Sequence, residues 1–160
     1  MDIFFKTITW LGSLYLLLPF GVVLSLLLFS WQKRSESLFL LLSLVATSLV
    51  THLLKILVAR PRPAAEDLLV SMPADFSFPS AHTSQVTAFA LVLGILLTRV
   101  LAQPAAVAAA WSILTLLVIG VGYSRVYLQV HYISDVIVGA GLAVLIVMLA
   151  AKFLGISIKS

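Results

Sequence analysis

Between Lys6 and Lys33 the chain carries no charged residue, and four more long apolar runs follow it. At about 1.5 Å of rise per residue, such a run reaches across a bilayer core about 30 Å thick. The second run lies between Glu36 and Lys55, and the third extends from about Ser80 to Thr98. The fourth reaches Ser124, and the fifth runs from about His131 to Phe153. In hydrocarbon every backbone N–H and C=O must be paired inside the protein, so runs of this length fold as helices. The expected fold is therefore all-α, an integral membrane bundle of about five transmembrane helices. Composition agrees: with 62% hydrophobic and 10% charged residues in 160, the chain has too little polar surface for a water-soluble domain.

The runs carry further expectations. Pro19 is expected to kink the first span, and Trp10 and Trp31 fall where interfacial aromatics belong. The N-terminal run is too long for a cleavable signal, and no small-x-small pattern follows it. No repeat or low-complexity segment divides the chain, so one domain over 1–160 is expected, with its motif-bearing core at about 37–153. Gly120 with Gly122, and Gly139 with Gly141, read as helix-packing contacts. Ten Lys and Arg against six acids give a net charge of +4, but the cations are dispersed. That argues against nucleic acid and suits an anionic substrate or lipid headgroup. The absence of cysteine excludes disulfides and thiolate metal sites.

Five spans traversed in turn bring the end of span two, the start of span three, the end of span four and the start of span five to one face. Lys55, Arg60, Arg62, His82, Arg125, His131 and Asp135 all fall there. The other face holds Lys33, Arg34, Arg99, Lys152 and Lys159, and Lys6 evens the count at five against five. Setting Lys55, Arg62 and Arg125 aside as site residues makes the other face the more basic, hence cytoplasmic. The cluster then faces the periplasm or cell exterior.

Three stretches carry chemistry. In Ser124–Asp135, a helix starting near His131 would place His131 and Asp135, four apart, on one face. A carboxylate on one ring nitrogen fixes the tautomer and frees the other nitrogen's lone pair to attack or to accept a proton. Arg125 adds a forked, permanent cation suited to phosphate or carboxylate oxygens. In Lys55–Pro63, each proline holds the preceding arginine extended, so the helix is expected to stop near Ala59. Lys55, Arg60 and Arg62 crowd together and repel one another unless an anion joins them. In Phe78–His82, Pro79 holds Phe78 extended and Ser80 is placed to cap a helix. The free amides beyond Ser80 then form an anion site, with His82 in the first turn as a proton donor.

This triple pattern resembles the type 2 phosphatidic acid phosphatase (PAP2) superfamily, in its small bacterial integral-membrane branch. Lys55…Arg62-Pro63 is similar to the first motif of that family, Pro79-Ser80-Ala81-His82 to the second, and Ser124-Arg125…His131…Asp135 to the third. The resemblance implies that His131 is the nucleophile of a phosphohistidine intermediate and that Asp135 orients it. It implies that His82 protonates the leaving group and then activates water. Lys55, Arg62 and Arg125 would bind the phosphoryl oxygens, helped by the Ser80 hydroxyl and the amides around Ala81. The cations take the place of metal ions, so no metal and no cofactor are expected. Ala81 stands where the family usually has glycine, which puts the amide geometry there in question. Family members commonly have six spans, so the resemblance also implies that the first is missing here.

The expected activity is hydrolysis of a terminal phosphate from a lipid phosphate or diphosphate by an enzyme of the bacterial cytoplasmic membrane. Undecaprenyl diphosphate is the first choice of substrate, and phosphatidylglycerol phosphate or phosphatidic acid the second. The only partners expected are that substrate and the membrane lipids. A reading from another class is a small anion transporter or channel, which has no need of a nucleophile. His52, one turn before Lys55, is either a partner of the site or a hydrogen-bonded packing residue. Arg60, off the family spacing, reads as a headgroup contact or a spare cation. Ala64–Met72 is either a surface lid or plain loop, and Tyr127 and Tyr132 read as interfacial aromatics.

Overall fold

The structure, a computed structural model, describes residues 1–64 and 69–157. Among them lie six helices and no strand: α1 (Asp2–Trp10), α2 (Leu14–Ser30), α3 (Arg34–Val58), α4 (Ala81–Val100), α5 (Pro104–Tyr127) and α6 (Ile133–Phe153). Among the described residues five segments are long and apolar enough to cross a membrane, because α1 and α2 together make one, Asp2–Ser30. The all-helical membrane bundle expected from the apolar runs is the fold observed.

The first span is interrupted between α1 and α2. Pro19 sits within the continuous helix α2, while the break falls at Leu11–Ser13. Ser13 is extended and its hydroxyl accepts the Tyr15 N–H at 3.3 Å, which starts α2 afresh. The physical reason lies outside the segment. α1 leans on α5, with the Phe5 ring 4.1 Å from that of Tyr127 and the Tyr127 hydroxyl donating to Asp2 at 2.8 Å. Gly12 makes the turn between them: a Cβ there would meet Val121 Cγ1 at 2.6 Å and the His82 carbonyl oxygen at 2.9 Å.

Helix α4 is the axis of the bundle, with residues from Thr83 to Ile95 buried against α3, α5 and α6. Phe39, Leu40 and Leu44 of α3 pack with Val86 and Val92 of α4 and Val147 of α6. Small residues set the helix spacing at three of the four predicted positions. Gly120 receives Ile8, Gly122 receives Val136, and Gly139 abuts the Ser80 carbonyl oxygen. Gly141 is the exception, since a side chain there would meet nothing within 4 Å. Two more backbone features shape the site. α3 ends at Ala59, as the prolines require, and Ala59 takes a left-handed conformation (φ 48°) costing about 1–2 kcal/mol. After α5 the chain doubles back through Gln129 (φ 56°), and the N–H groups of Val130 and His131 both donate to the Arg125 carbonyl at 3.2 Å. Fully buried Leu128 and Val130 anchor that reversal.

Candidate active site

The C-terminal ends of α3 and α5 meet the N-terminal ends of α4 and α6, as the traversal of spans predicted. Lys55, Arg62, His82, Arg125 and His131 line one cavity of about 500 Å³, and Asp75, Ala81, Gln85 and Gly12–Tyr15 also contribute to its wall. Lys55 is 3% exposed and Arg125 5% exposed, so both hold their charge away from bulk water.

His131 is buried at the head of this cavity. Arg62 Nη1 approaches its Nε2 at 3.3 Å, so Nε2 is the unprotonated nitrogen and the ring proton sits on Nδ1. Nδ1–H then points at Asp135 Oδ2, 3.4 Å away, with the Ser77 hydroxyl also at 3.4 Å. The expected shared helical face is not the cause of this pairing. α6 begins at Ile133, two residues after His131, and Asp135 sits in its first turn with its carboxylate accepting the Tyr132 amide at 3.0 Å. A reversed loop brings the imidazole onto that cap. Burial first, then Arg125, Arg62, Lys55 and His82, pull the His131 pKa down to about 2, so the ring is neutral and its Nε2 lone pair available.

Asp135 is fully buried, and it holds more partners than the sequence suggested. Arg60 Nη1 donates to Asp135 Oδ1 at 2.8 Å and to Ser134 Oγ at 2.8 Å, and the guanidinium lies 4.0 Å over the Tyr132 ring. Arg60 is thus the ion partner of Asp135 rather than a spare cation, and Tyr132 is its platform rather than a plain interfacial aromatic. The Ser77 hydroxyl donates to Asp135 Oδ2. Ser77 sits two residues before the second motif, without a spacing that marks it out.

Asp75 is the largest omission of the sequence reading. Its carboxylate lies 3.1 Å from Lys55 Nζ and is also paired with Arg62 Nη2, while its carbonyl oxygen accepts from Arg62 Nε at 2.9 Å. The crowding of Lys55, Arg60 and Arg62 called for an anion, and the chain supplies this one. Burial opposes ionisation of Asp75, but Lys55 and Arg62 outweigh it and hold its pKa below the ordinary carboxylate value.

Arg125 donates to Thr9 Oγ1 of α1 at 2.8 Å, a contact across 116 positions that the motif could not reveal. Its Nε and the Gln85 Oε1 are buried polar atoms without a hydrogen-bond partner among the described residues, and both residues line the cavity. Ser80 departs from expectation. It stands at the cap position of α4, but its side chain caps nothing. Its hydroxyl is fully buried and accepts from Thr83 Oγ1 at 3.0 Å, off the cavity wall. Ala81 does line the cavity, and as a first-turn helical residue with negative φ it needs no glycine. The Phe78–Pro79 peptide bond is cis. His52 lines the outer wall, is exposed, and pairs Nδ1 with the Ser48 carbonyl at 2.8 Å within its own helix. The central residues of Ala64–Met72, positions 65–68, lie outside the described residues, as does Lys159.

Fold and site together define a class: a helical membrane protein with an imidazole–carboxylate pair and a nest of cations around an open cavity. Comparison with known proteins gives the family. The model of the PAP2 superfamily matches residues 36–158, and the chain belongs to that superfamily. Phosphatidylglycerophosphatase B of Bacillus subtilis is 31% identical over 147 residues, covering 91% of this chain and 71% of that one. The decaprenylphosphoryl-5-phosphoribose phosphatase of Mycobacterium tuberculosis is 39% identical over 95 residues, 58% of this chain and 47% of that protein. The chain therefore spans about half the length of that mycobacterial relative. The crystal structure of the Bacillus subtilis transmembrane PAP2 phosphatidylglycerolphosphate phosphatase superposes with a TM-score of 0.85 at 31% identity, over 95% of this chain and 75% of that one. Aquifex aeolicus LpxE gives 0.74 at 31% identity, over 94% and 85%. The protein is a membrane phosphatase of the PAP2 superfamily.

Proposed function

We propose that the protein removes a terminal phosphate from a membrane lipid by way of a phosphohistidine at His131. One observation carries the reading: within a cavity lined by Lys55, Arg62 and Arg125, His131 turns an unprotonated Nε2 to Arg62 while Asp135 holds Nδ1. Nε2 attacks phosphorus as the bond to the leaving oxygen breaks, and His82, on the same cavity wall, gives that oxygen its proton. Water then attacks the phosphorus as its bond to Nε2 breaks, with His82 taking the water's proton, which releases phosphate and restores the neutral imidazole. The charge on the equatorial oxygens is met by Lys55, Arg62 and Arg125 and by the first amides of α4 at Ala81 and His82, which Ser80 leaves uncapped. These cations do the charge stabilisation that metal ions do elsewhere, and the reaction is proposed to be metal-independent.

The names of the Bacillus and mycobacterial relatives favour a phosphomonoester carried on a lipid headgroup. Undecaprenyl diphosphate, the first choice from the sequence, has no such support and is the second substrate to try. We place the enzyme in the bacterial cytoplasmic membrane as a single domain, with its cavity facing the periplasm or exterior. The test is phosphate release from a panel of purified lipid monophosphates and diphosphates, with and without EDTA. His131→Ala should abolish turnover while vanadate binding persists. Release that survives in that variant sinks the intermediate, and release that vanishes with chelator sinks the metal-free mechanism.

A further inference from the structure

Lys55 and Arg62 already hold an anion, and it belongs to the chain. The Asp75 carboxylate spans the two, reaching Lys55 Nζ at 3.1 Å and pairing with Arg62 Nη2. Arg62 turns its Nε and Nη2, the fork that suits a pair of phosphate oxygens, onto the carbonyl and carboxylate of this one residue. The carboxylate comes from the water side: its side chain is 49% exposed while Lys55 is 3% exposed. Arg125, on the same cavity, is not bound to it and donates to Thr9 instead. Asp75 therefore pairs with two of the three cavity cations, offsetting one of their two charges, and leaves the third to an incoming ligand.

We propose that Asp75 is a specificity-determining residue, a resident carboxylate that competes with the substrate phosphoryl group for Lys55 and Arg62. A fixed negative charge at this distance repels a ligand in proportion to the ligand's own charge. The site then favours a monoester over a diphosphate, which brings more negative charge to the same cations. The inference rests on the reading of the cavity as the phosphoryl site, and it deepens that reading by giving the cavity a charge limit. The rival role for Asp75 is a brace that holds Lys55 and Arg62 in place, and it predicts the opposite effect of removing the charge.

Asp75→Asn separates the two, because the amide keeps an acceptor oxygen of the same shape and loses only the charge. The measurement is calorimetric binding of inorganic phosphate and of pyrophosphate to the purified full chain in detergent, at fixed pH and ionic strength. The variant should bind phosphate roughly fivefold more tightly, and pyrophosphate tighter still by a further factor of roughly three or more. Asp75→Ser should change both affinities in the same direction and serves if the first variant does not fold. Asp75→Glu, which keeps the charge, should bind like the wild type. Weaker or unchanged binding in the neutral variants, an equal gain for both anions, or no anion binding in any form overturns the inference. The phosphatase reading fails by a separate route: a wild type that binds phosphate but releases none from any lipid refutes catalysis and leaves the Asp75 competition standing.

Discussion

At the scale of single residues, the site depends on a histidine kept neutral by its surroundings. An unfolded His131 takes up a proton near pH 6.5, whereas the folded ring does not until about pH 2. Between those values the unfolded state binds more protons, so folding stability contributed by the neutral ring is present above pH 6.5 and is lost as the pH falls. From pH 7.5 to 5.0 the loss is about 2 kcal/mol. In denaturant unfolding in micelles, the loss over this range should be about 2 kcal/mol smaller in His131→Asn, whose side chain does not titrate, than in the wild type. Arg60 acts one step further out. Asp135 is fully buried and Arg60 carries its only guanidinium partner among the described residues. Arg60→Ala should cost about 1–3 kcal/mol of stability and lower kcat roughly tenfold, by loosening the carboxylate that orients His131. Arg60→Lys should recover the stability in part but not the stacked fork over Tyr132. The spacing of four between His131 and Asp135 was legible in the sequence. That Arg60 completes the pair was not, because its partner lies 75 positions away and neither residue advertises the other.

At the scale of elements, close approach decides function. Gly12 and Gly139 each place bare backbone against the motif segment that begins α4. A Cβ at Gly139 would meet the Ser80 carbonyl oxygen at 2.8 Å and Ser84 Oγ at 3.0 Å. Gly139→Ala should therefore cost about 1–3 kcal/mol and depress kcat/KM, since the start of α4 carries His82. Gly141→Ala, one half-turn away in open space, should instead gain about 0.5–1 kcal/mol from helix propensity. Thermal unfolding of the two variants should move in opposite directions, and equal shifts would show that the α4–α6 contact is not tight. The sequence marked both glycines alike, because small residues announce possible contact but not which contact forms. The same limit explains the first span: Pro19 was visible, but the break at Leu11–Ser13 follows from α1 docking on α5.

For the whole molecule, the charges define two ends. Lys55, Arg60, Arg62, Arg125 and the N-terminal turn of α6 lie at the cavity end, while Arg99 pairs with Glu36 at 3.4 Å at the other. The chain has no cysteine, so a single introduced one reports its own side. Ala64→Cys, exposed beside the cavity, should react with a membrane-impermeant maleimide in spheroplasts. Gln103→Cys, exposed at the start of α5, should react only after permeabilisation. The reverse pattern would put the cavity in the cytoplasm and remove the outer-leaflet substrates. The number of spans, their helical form and the end at which the motif residues gather were set by the sequence alone. Hydrocarbon admits paired backbone and little charge, so length and hydropathy leave few alternatives. Only the tertiary structure decided that α1 folds back to hold Arg125, that Arg60 serves Asp135, and that Asp75 occupies the cations. Those pairings join segments whose meeting depends on helix crossings and loop reversals, and no local period in the chain encodes them.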